Sequence, residues 1–487
     1  MHEKPTRRIV ASSLVWKFAE RSGVQGVQFL VQVILARLLD PQQFGSIALV
    51  MVFVNLAQVF VQSGFNTALI QKKDAEEEDF NSVFCLSLVV SFLLYLVLFL
   101  ASPAIGRFYD DEVLAPALRI LSLTLFFGAL NSIQNAYIAR NLMFKELFIC
   151  SLVAVLVSGV SGVVVAYRGL GLWALVIQHL VNQVTVTLSL MYVVSWKPRT
   201  LFSRERVRAL FSFGGKLLLS QLLNSLYTDL RTLVVGKMFS PAALGYYNRG
   251  QQFPSLVVSN VDGSMQAVML PTLSAHQENR SQVKSMMRRA IKSSSFLIFP
   301  TMAGIAAVAE PLVTSVLTDK WLPCVPFIRI FCMSYALMPI HTANLQAINA
   351  VGRSDVFLKL EVIKKTLGLM VLVISLPFGI YAIAVGQVVS GILASFVNAY
   401  PNKRLLNYGY WEQWADMMPS FGLAIVMGLA VYALDGINLA VWQLLALKVG
   451  VGMIVYLGLA RLLRVESYTY LREALVEMLR LSRNANA

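Results

Sequence analysis

Charge is what this 487-residue chain has least of: Asp, Glu, Lys and Arg together make up 14% of it, against about a quarter in a soluble domain. With 57% hydrophobic residues and a mean hydropathy of +0.65, that shortage excludes an ordinary soluble globule and leaves an integral membrane protein. Cysteine is scarce as well. Cys85, Cys150, Cys324 and Cys332 each stand alone in an apolar segment without a CxxC pair. They imply no disulfide framework and no metal site, and read as small buried hydrophobes. No GxxxxGK[ST] loop occurs, which argues against ATP hydrolysis by this polypeptide. No catalytic constellation stands out either, so neither an enzyme nor a cofactor is expected. The first apolar segment contains Lys17, Glu20 and Arg21 and lacks the short apolar core and cleavage site of a secretory signal, so it is expected to be a retained helix.

What is present is a long series of apolar segments. Hydropathy and turn signals predict spans near 11–39, 42–69, 80–102, 114–139, 144–167, 171–196, 210–239, 242–272, 293–318, 322–350, 356–378, 380–400, 417–434 and 439–463. The net charge of +15 could suggest nucleic acid, but its distribution excludes that reading. If the N-terminus and every second loop are placed on one side, about 26 Lys and Arg fall there and about five on the other, the asymmetry of a multi-pass protein with both termini cytoplasmic.

Two segments carry a polar seam. In the first, Lys17, Arg21, Gln25, Gln28 and Gln32 recur at helical spacing and fall within roughly 80° of arc. In the second, Asn55, Gln58, Gln62 and Asn66 do the same. A helix that is otherwise Val, Leu, Ile, Phe and Ala meets lipid on most sides and something polar on one. Two hundred residues on, Gly236-Lys-Met-Phe-Ser-Pro-Ala-Ala-Leu-Gly245 aligns without a gap on Ala36-Arg-Leu-Leu-Asp-Pro-Gln-Gln-Phe-Gly45, matching Pro241 with Pro41 and Gly245 with Gly45. The seams have counterparts there in Lys216, Ser220, Asn224 and Arg231, and in Ser255, Ser259, Asp262 and Gln266. Leu118-Arg-Ile-Leu121 likewise resembles Ile328-Arg-Ile-Phe331. A duplicated unit of six spans has parallel copies, which would set the seams of spans 1, 2, 7 and 8 around one central cavity. The expected organisation is an all-α membrane protein with an N-terminal six-helix lobe at 1–200 and a C-terminal one at 201–404. Two appended helices follow at 405–465, then an amphipathic cytoplasmic tail at 466–487.

The stretch Ile34-Leu-Ala-Arg-Leu-Leu-Asp-Pro-Gln-Gln-Phe-Gly45, its continuation Ser63-Gly-Phe-Asn-Thr-Ala-Leu-Ile-Gln-Lys-Lys73 and the later Asp319-Lys-Trp321 resemble bacterial Wzx-type polysaccharide flippases. These belong to the multidrug/oligosaccharidyl-lipid/polysaccharide superfamily, and the chain is most similar to the branch exporting colanic acid and related exopolysaccharides. The resemblance runs from about residue 8 to about 465. It implies fourteen helices in a V-shaped pair of six-helix lobes plus two, with inward- and outward-open states. It also implies a lipid-linked oligosaccharide on an undecaprenyl diphosphate carrier as cargo, in the bacterial inner membrane. Membrane lipids and other polysaccharide-assembly proteins are the remaining expected partners.

Ionisable side chains in a bilayer core cost a few kcal/mol each on insertion scales, so each asks for a reason. Lys17, Arg21, Lys216 and Arg231 are expected to hold the anionic diphosphate, since a guanidinium suits phosphate through paired hydrogen bonds and an ammonium acts as a point charge. The amides Gln25, Gln28, Gln32, Asn55, Gln58, Gln62 and Asn66, with Asn224, offer donors and acceptors to sugar hydroxyls. Asp262 could also touch cargo, and Asp262, Glu20 and Asp229 are candidates for ion coupling. The competing reading is structural. Glu20 beside Arg21 and Asp229 beside Arg231 could be ion pairs that hold helices, and amides also act as glue between helices. His179 and His341, each on an apolar span, read as hydrogen-bonded core histidines, with proton relay as the alternative. Pro254, Pro300 and Pro339 are expected to kink their spans. A small-cation multidrug exporter on the same scaffold is the alternative function, opposed by the basic seam. A glycan polymerase or ligase ranks lower, because the longest outward loop, near Ser102 to Glu112, is only about a dozen residues.

Overall fold

The computed structural model describes residues 7–62, 69–70, 72, 76–197, 202–437 and 439–485, and among them it contains helices and no strand. In chain order these are α1 (Arg7–Leu38), α2 (Pro41–Gln62), α3 (Glu77–Tyr109), α4 (Leu114–Leu121), α5 (Thr124–Asn141), α6 (Phe144–Tyr167), α7 (Leu172–Val193), α8 (Arg204–Met238) and α9 (Pro241–Ser274). Then come α10 (Arg280–Ala307), α11 (Ala309–Val316), α12 (Val325–Tyr335), α13 (Met338–Ala350), α14 (Ser354–Ser375), α15 (Ile380–Leu406), α16 (Tyr410–Tyr432), α17 (Val441–Leu462) and α18 (Glu466–Ala485). The chain divides into two compact units, Met1–Gly245 and Tyr246–Ala487.

Among the described residues, ten segments are long and apolar enough to cross a bilayer. Four further helices of 22 to 35 residues, α1, α8, α9 and α14, are long enough but more polar. Three of these four carry the expected seams. The protein is therefore a multi-pass, all-helical membrane protein. Two expected spans are not continuous: the segment at 114–139 breaks between α4 and α5, and that at 322–350 between α12 and α13. Pro339 accordingly starts α13, where its missing N–H costs nothing, and does not kink a continuous helix as expected.

The matched motifs of the two halves explain several packing details. Pro41 and Pro241 each open a helix, and the glycines four residues later let the two helix starts cross backbone to backbone. A Cβ on Gly45 would lie 1.7 Å from the Pro241 carbonyl oxygen, and one on Gly245 would lie 2.1 Å from the Pro41 carbonyl oxygen. The reciprocity is that of a local two-fold. Around the crossing, Ser46 Oγ donates to Asp111 Oδ2 (2.5 Å), Tyr109 donates to the Leu233 carbonyl (3.4 Å), and Lys237 pairs with Asp110 and donates to the Phe108 carbonyl.

The second motif match is also built into the packing. Pro103 inside α3 cannot donate to the Phe99 carbonyl, and that oxygen instead accepts from Ser102 Oγ at 2.8 Å and from Arg119 Nε at 3.4 Å. Arg329, the counterpart of Arg119, donates to the Ala306 carbonyl in the other unit. Pro300 does the same to α10, and there the freed Phe296 carbonyl accepts from the buried Tyr456 hydroxyl at 2.9 Å. Tyr456→Phe leaves that carbonyl buried and unsatisfied and should cost about 1–3 kcal/mol. A lowered melting temperature of purified Tyr456→Phe, with an unchanged oligomeric profile, checks this.

In the second unit a basic stripe on α10, Lys284, Arg288 and Lys292, meets acids from α16 and α18. Lys284 pairs with Glu412, Arg288 with Asp416 at 2.6 Å, and Lys292 with Asp416 and with Glu466. The spacing of four places each set on one helical face, and Tyr408 adds a hydrogen bond to Asp416 at 2.8 Å. This pairing ties α16 and the start of α18 to α10.

Candidate functional site

Of the cationic candidates, Arg231 has a described side chain. Lys17, Arg21 and Lys216 lie on α1 and α8 with side chains outside the described residues, and Asn66 lies outside them altogether. Arg231 is half-buried, its guanidinium 6.0 Å from the centre of the Tyr227 ring one turn away on α8. Asp229 is half-buried too, but two residues apart on a helix means opposite sides, and no ion pair joins it to Arg231. The pairing alternative for Arg231 is therefore not realised. Glu20 is half-buried.

The amide seams separate into two kinds of residue. Gln58 is structural: its Nε2 donates to the Thr124 carbonyl at 3.0 Å, and its Oε1 accepts from Gln62 Nε2 at 2.8 Å. The side chain fills a notch over Gly128, where an added Cβ would lie 2.2 Å from Gln58 Oε1. Gln32 donates to Gln178 Oε1 on α7 at 3.3 Å, again glue between helices. By contrast Gln28, Asn55 and Asn224 are exposed, and Gln25 is half-buried with its Oε1 lacking a partner.

Helices α2 and α8 pack antiparallel, with Leu49 against Gly236. Counting about 1.5 Å per residue from that contact, Asn55 and Arg231 lie at nearly the same level of the pair, about 7.5–9 Å from it. Ser220, Gln221 and Thr228 are exposed on α8 beside Asn224. The result is a polar face with one guanidinium, backed by the apolar packing of α2. Asn55→Ala should leave stability within about 0.5 kcal/mol while lowering function, whereas Gln58→Ala should destabilise by about 1–3 kcal/mol through the unpaired Thr124 carbonyl. Paired thermal-melt and activity measurements on the two variants check the division.

In the second unit, Asp262 is engaged on both oxygens, accepting from Thr342 Oγ1 and from Gln266 Nε2 at 2.7 Å. His341 Nδ1 meets Asn398 Nδ2 at 3.0 Å, as a hydrogen-bonded core histidine would. A charged pair outside the seams also lies within a predicted span. Halfway along α14, Glu361 and Lys364 form a 2.5 Å ion pair whose side chains are 27% and 15% exposed. The signal was present, since α14 is one of the four helices too charged to pass as a purely apolar span.

Long membrane-crossing helices with single polar faces are the build of a membrane transporter. The fold is that of the multidrug/oligosaccharidyl-lipid/polysaccharide superfamily. The solved inward-closed lipid II flippase MurJ matches 92% of this chain and 98% of its own, with a TM-score of 0.76 at 14% identity. The chain belongs to the polysaccharide biosynthesis protein family, whose model matches residues 34–326. It is 25% identical over 350 residues to the succinoglycan biosynthesis transport protein ExoT of Rhizobium meliloti (strain 1021), covering 72% of this chain and 71% of that one. It is also 23% identical over 435 residues to the lipopolysaccharide biosynthesis protein WzxC of Escherichia coli (strain K12), covering 88% of each.

Proposed function

We propose that the chain is a flippase that moves an undecaprenyl-diphosphate-linked oligosaccharide, an exopolysaccharide repeat unit, across the bacterial inner membrane by alternating access. It is a transporter and not a catalyst, and it works with both termini in the cytoplasm, so the Pro41/Pro241 crossing lies at the outer face. The observation that carries the reading is the polar face of α2 and α8: Asn55, Asn224 and an Arg231 with no carboxylate partner among the described residues, on helices otherwise built for lipid. Membership of the polysaccharide biosynthesis family, the transport protein ExoT among its relatives and the fold shared with a lipid II flippase support it.

In this reading Arg231 holds the diphosphate together with Lys17, Arg21 and Lys216, and the exposed amides exchange hydrogen bonds with sugar hydroxyls as the glycan passes. A guanidinium in a low-dielectric path repels a cationic drug, which places an anionic carrier ahead of multidrug cargo. The test is complementation of a strain deleted for the chain. Arg21→Ala and Arg231→Ala should each reduce exported glycan at unchanged protein level, and normal export by both would remove the head-group role.

A further inference from the structure

A pocket of about 510 Å³ opens between α10, α16 and the turn that leads from α17 into α18. Most of its wall is apolar, with Met418, Leu423, Val426, Leu463 and Val465 contributing. Met418, Val426 and Leu463 are exposed there. On helices that cross a bilayer, exposed apolar side chains meet lipid, so the pocket opens sideways into the membrane. From Asp416 to Val426 it follows α16 for about 15 Å, half of an apolar layer about 30 Å thick. Gly422 lies on this stretch, and a Cβ added to it would meet nothing within 4 Å.

The other end of the pocket, near the bilayer surface, is charged. Asp416 is buried and spent within the protein, since Arg288 donates to its Oδ1 and Tyr408 to its Oδ2. Lys292 Nζ lies 3.4 Å from Asp416 and 2.6 Å from Glu466. An ammonium has three donors, so one remains for a ligand. The Glu466 side chain is 78% exposed, and its carboxylate can accept more than the one bond from Lys292. Packing fixes the pair in place: Ser467 Oγ donates to the Lys292 carbonyl at 3.2 Å, and the Tyr468 ring stands 6.4 Å from that of Phe296. Pro419 also lines the pocket. Having no N–H, it leaves the Ala415 carbonyl of α16 without a helical donor, a second acceptor at this end.

We propose that this pocket binds one phospholipid with a primary-ammonium headgroup, phosphatidylethanolamine, in the leaflet where α16 begins. One acyl chain lies along the apolar wall of α16. The headgroup lies head to tail on the Lys292–Glu466 pair: its phosphate accepts from Lys292, and its ammonium donates to Glu466 and to the Ala415 carbonyl. A zwitterion placed this way answers both charges without breaking the pair. Lys292, with the exposed Arg464 of the turn, would alone favour an anionic headgroup. Glu466 supplies the discrimination, because it repels a lipid that brings only negative charge. A choline headgroup carries the positive charge but has no N–H to donate.

Native mass spectrometry of the full chain in detergent tests this, with phosphatidylethanolamine, phosphatidylglycerol and phosphatidylcholine of the same acyl chains supplied in equal amounts. The wild type should retain one phosphatidylethanolamine about threefold or more over either competitor. Glu466→Gln should remove that preference. Gly422→Leu, whose side chain enters the open space beside α16, should lose the bound lipid altogether. Neither change disturbs the fold, since Glu466 is exposed and leucine suits a helix better than glycine. Added phosphatidylethanolamine should accordingly raise the melting temperature of the wild type and leave that of Gly422→Leu unmoved. Equal retention of the three lipids would mean a lipid shell without headgroup recognition and would overturn the proposal, as would a preference for phosphatidylglycerol. Retention unchanged in Gly422→Leu would place the lipid elsewhere, and displacement by equimolar undecaprenyl phosphate would give the pocket to a polyprenyl chain; either result overturns it. The measurement needs no cargo, so its outcome is independent of the transport reading.

Discussion

Gly45→Ala should abolish most export and destabilise the protein by about 1–3 kcal/mol or more, the cost of overpacking a filled site. The new methyl would stand 1.7 Å from the Pro241 carbonyl oxygen, and that oxygen is backbone with no rotamer to retreat into. The starts of α2 and α9 must therefore part by more than about 1 Å, in an interior that transmits such strain to its neighbours. The contacts of Ser46 with Asp111 and of Lys237 with Asp110 sit on the same junction and should loosen with it. Gly245→Ala should behave alike, since its methyl would meet the Pro41 carbonyl oxygen at 2.1 Å. The two changes press on one crossing, so the double variant should cost less than the sum of the singles. Gly26→Ala is the control: nothing lies within 4 Å of its position, and alanine there should be neutral or stabilising. Melting temperatures and exported glycan for the four variants would decide the matter, and a Gly45→Ala protein of normal stability and export would refute the packing account.

Arg231→Ala carries the second large effect. If the guanidinium makes a charge-assisted, two-point contact with the diphosphate, its loss removes about 1.5–3 kcal/mol, roughly a ten- to hundredfold fall in export rate at saturating expression. Arg231→Lys keeps the charge and loses the fork, so it should recover part of the rate. Stability should change little in either variant, because among the described residues Arg231 has no carboxylate partner and its guanidinium stands 6.0 Å from the centre of the Tyr227 ring. A purely structural arginine gives the opposite pattern, with a fall in melting temperature that tracks the fall in export.

Residue spacing made the stripes legible, but not what each member of a stripe does. Asn55 and Gln58 share one arc of α2, yet Asn55 is exposed and Gln58 is spent on the Thr124 carbonyl. The distinction depends on Gly128 of another helix, which leaves room for one amide and not the other. The match of Pro41 and Gly45 with Pro241 and Gly245 was readable as a repeat. That the two copies pack on each other follows from backbone geometry that a linear comparison does not contain. No glycine or proline marks the break near Ser122, whereas Pro339 marks the one near Leu337 but reads equally as a kink or as the first turn of a new helix. Glu361 and Lys364 were missed for a different reason. Their charges lower the hydropathy of α14 openly, but their pairing and partial burial are tertiary facts that residue spacing does not show.

The central claim is that this chain moves a lipid-linked glycan from one face of the inner membrane to the other. Its most direct test measures lipid-linked repeat units on each face in a strain lacking the chain, complemented with the wild type or with Arg231→Ala. The account predicts accumulation on the cytoplasmic face, relieved fully by the wild type and poorly by the variant. Normal translocation in the deletion strain, with the block falling at chain lengthening, would contradict it.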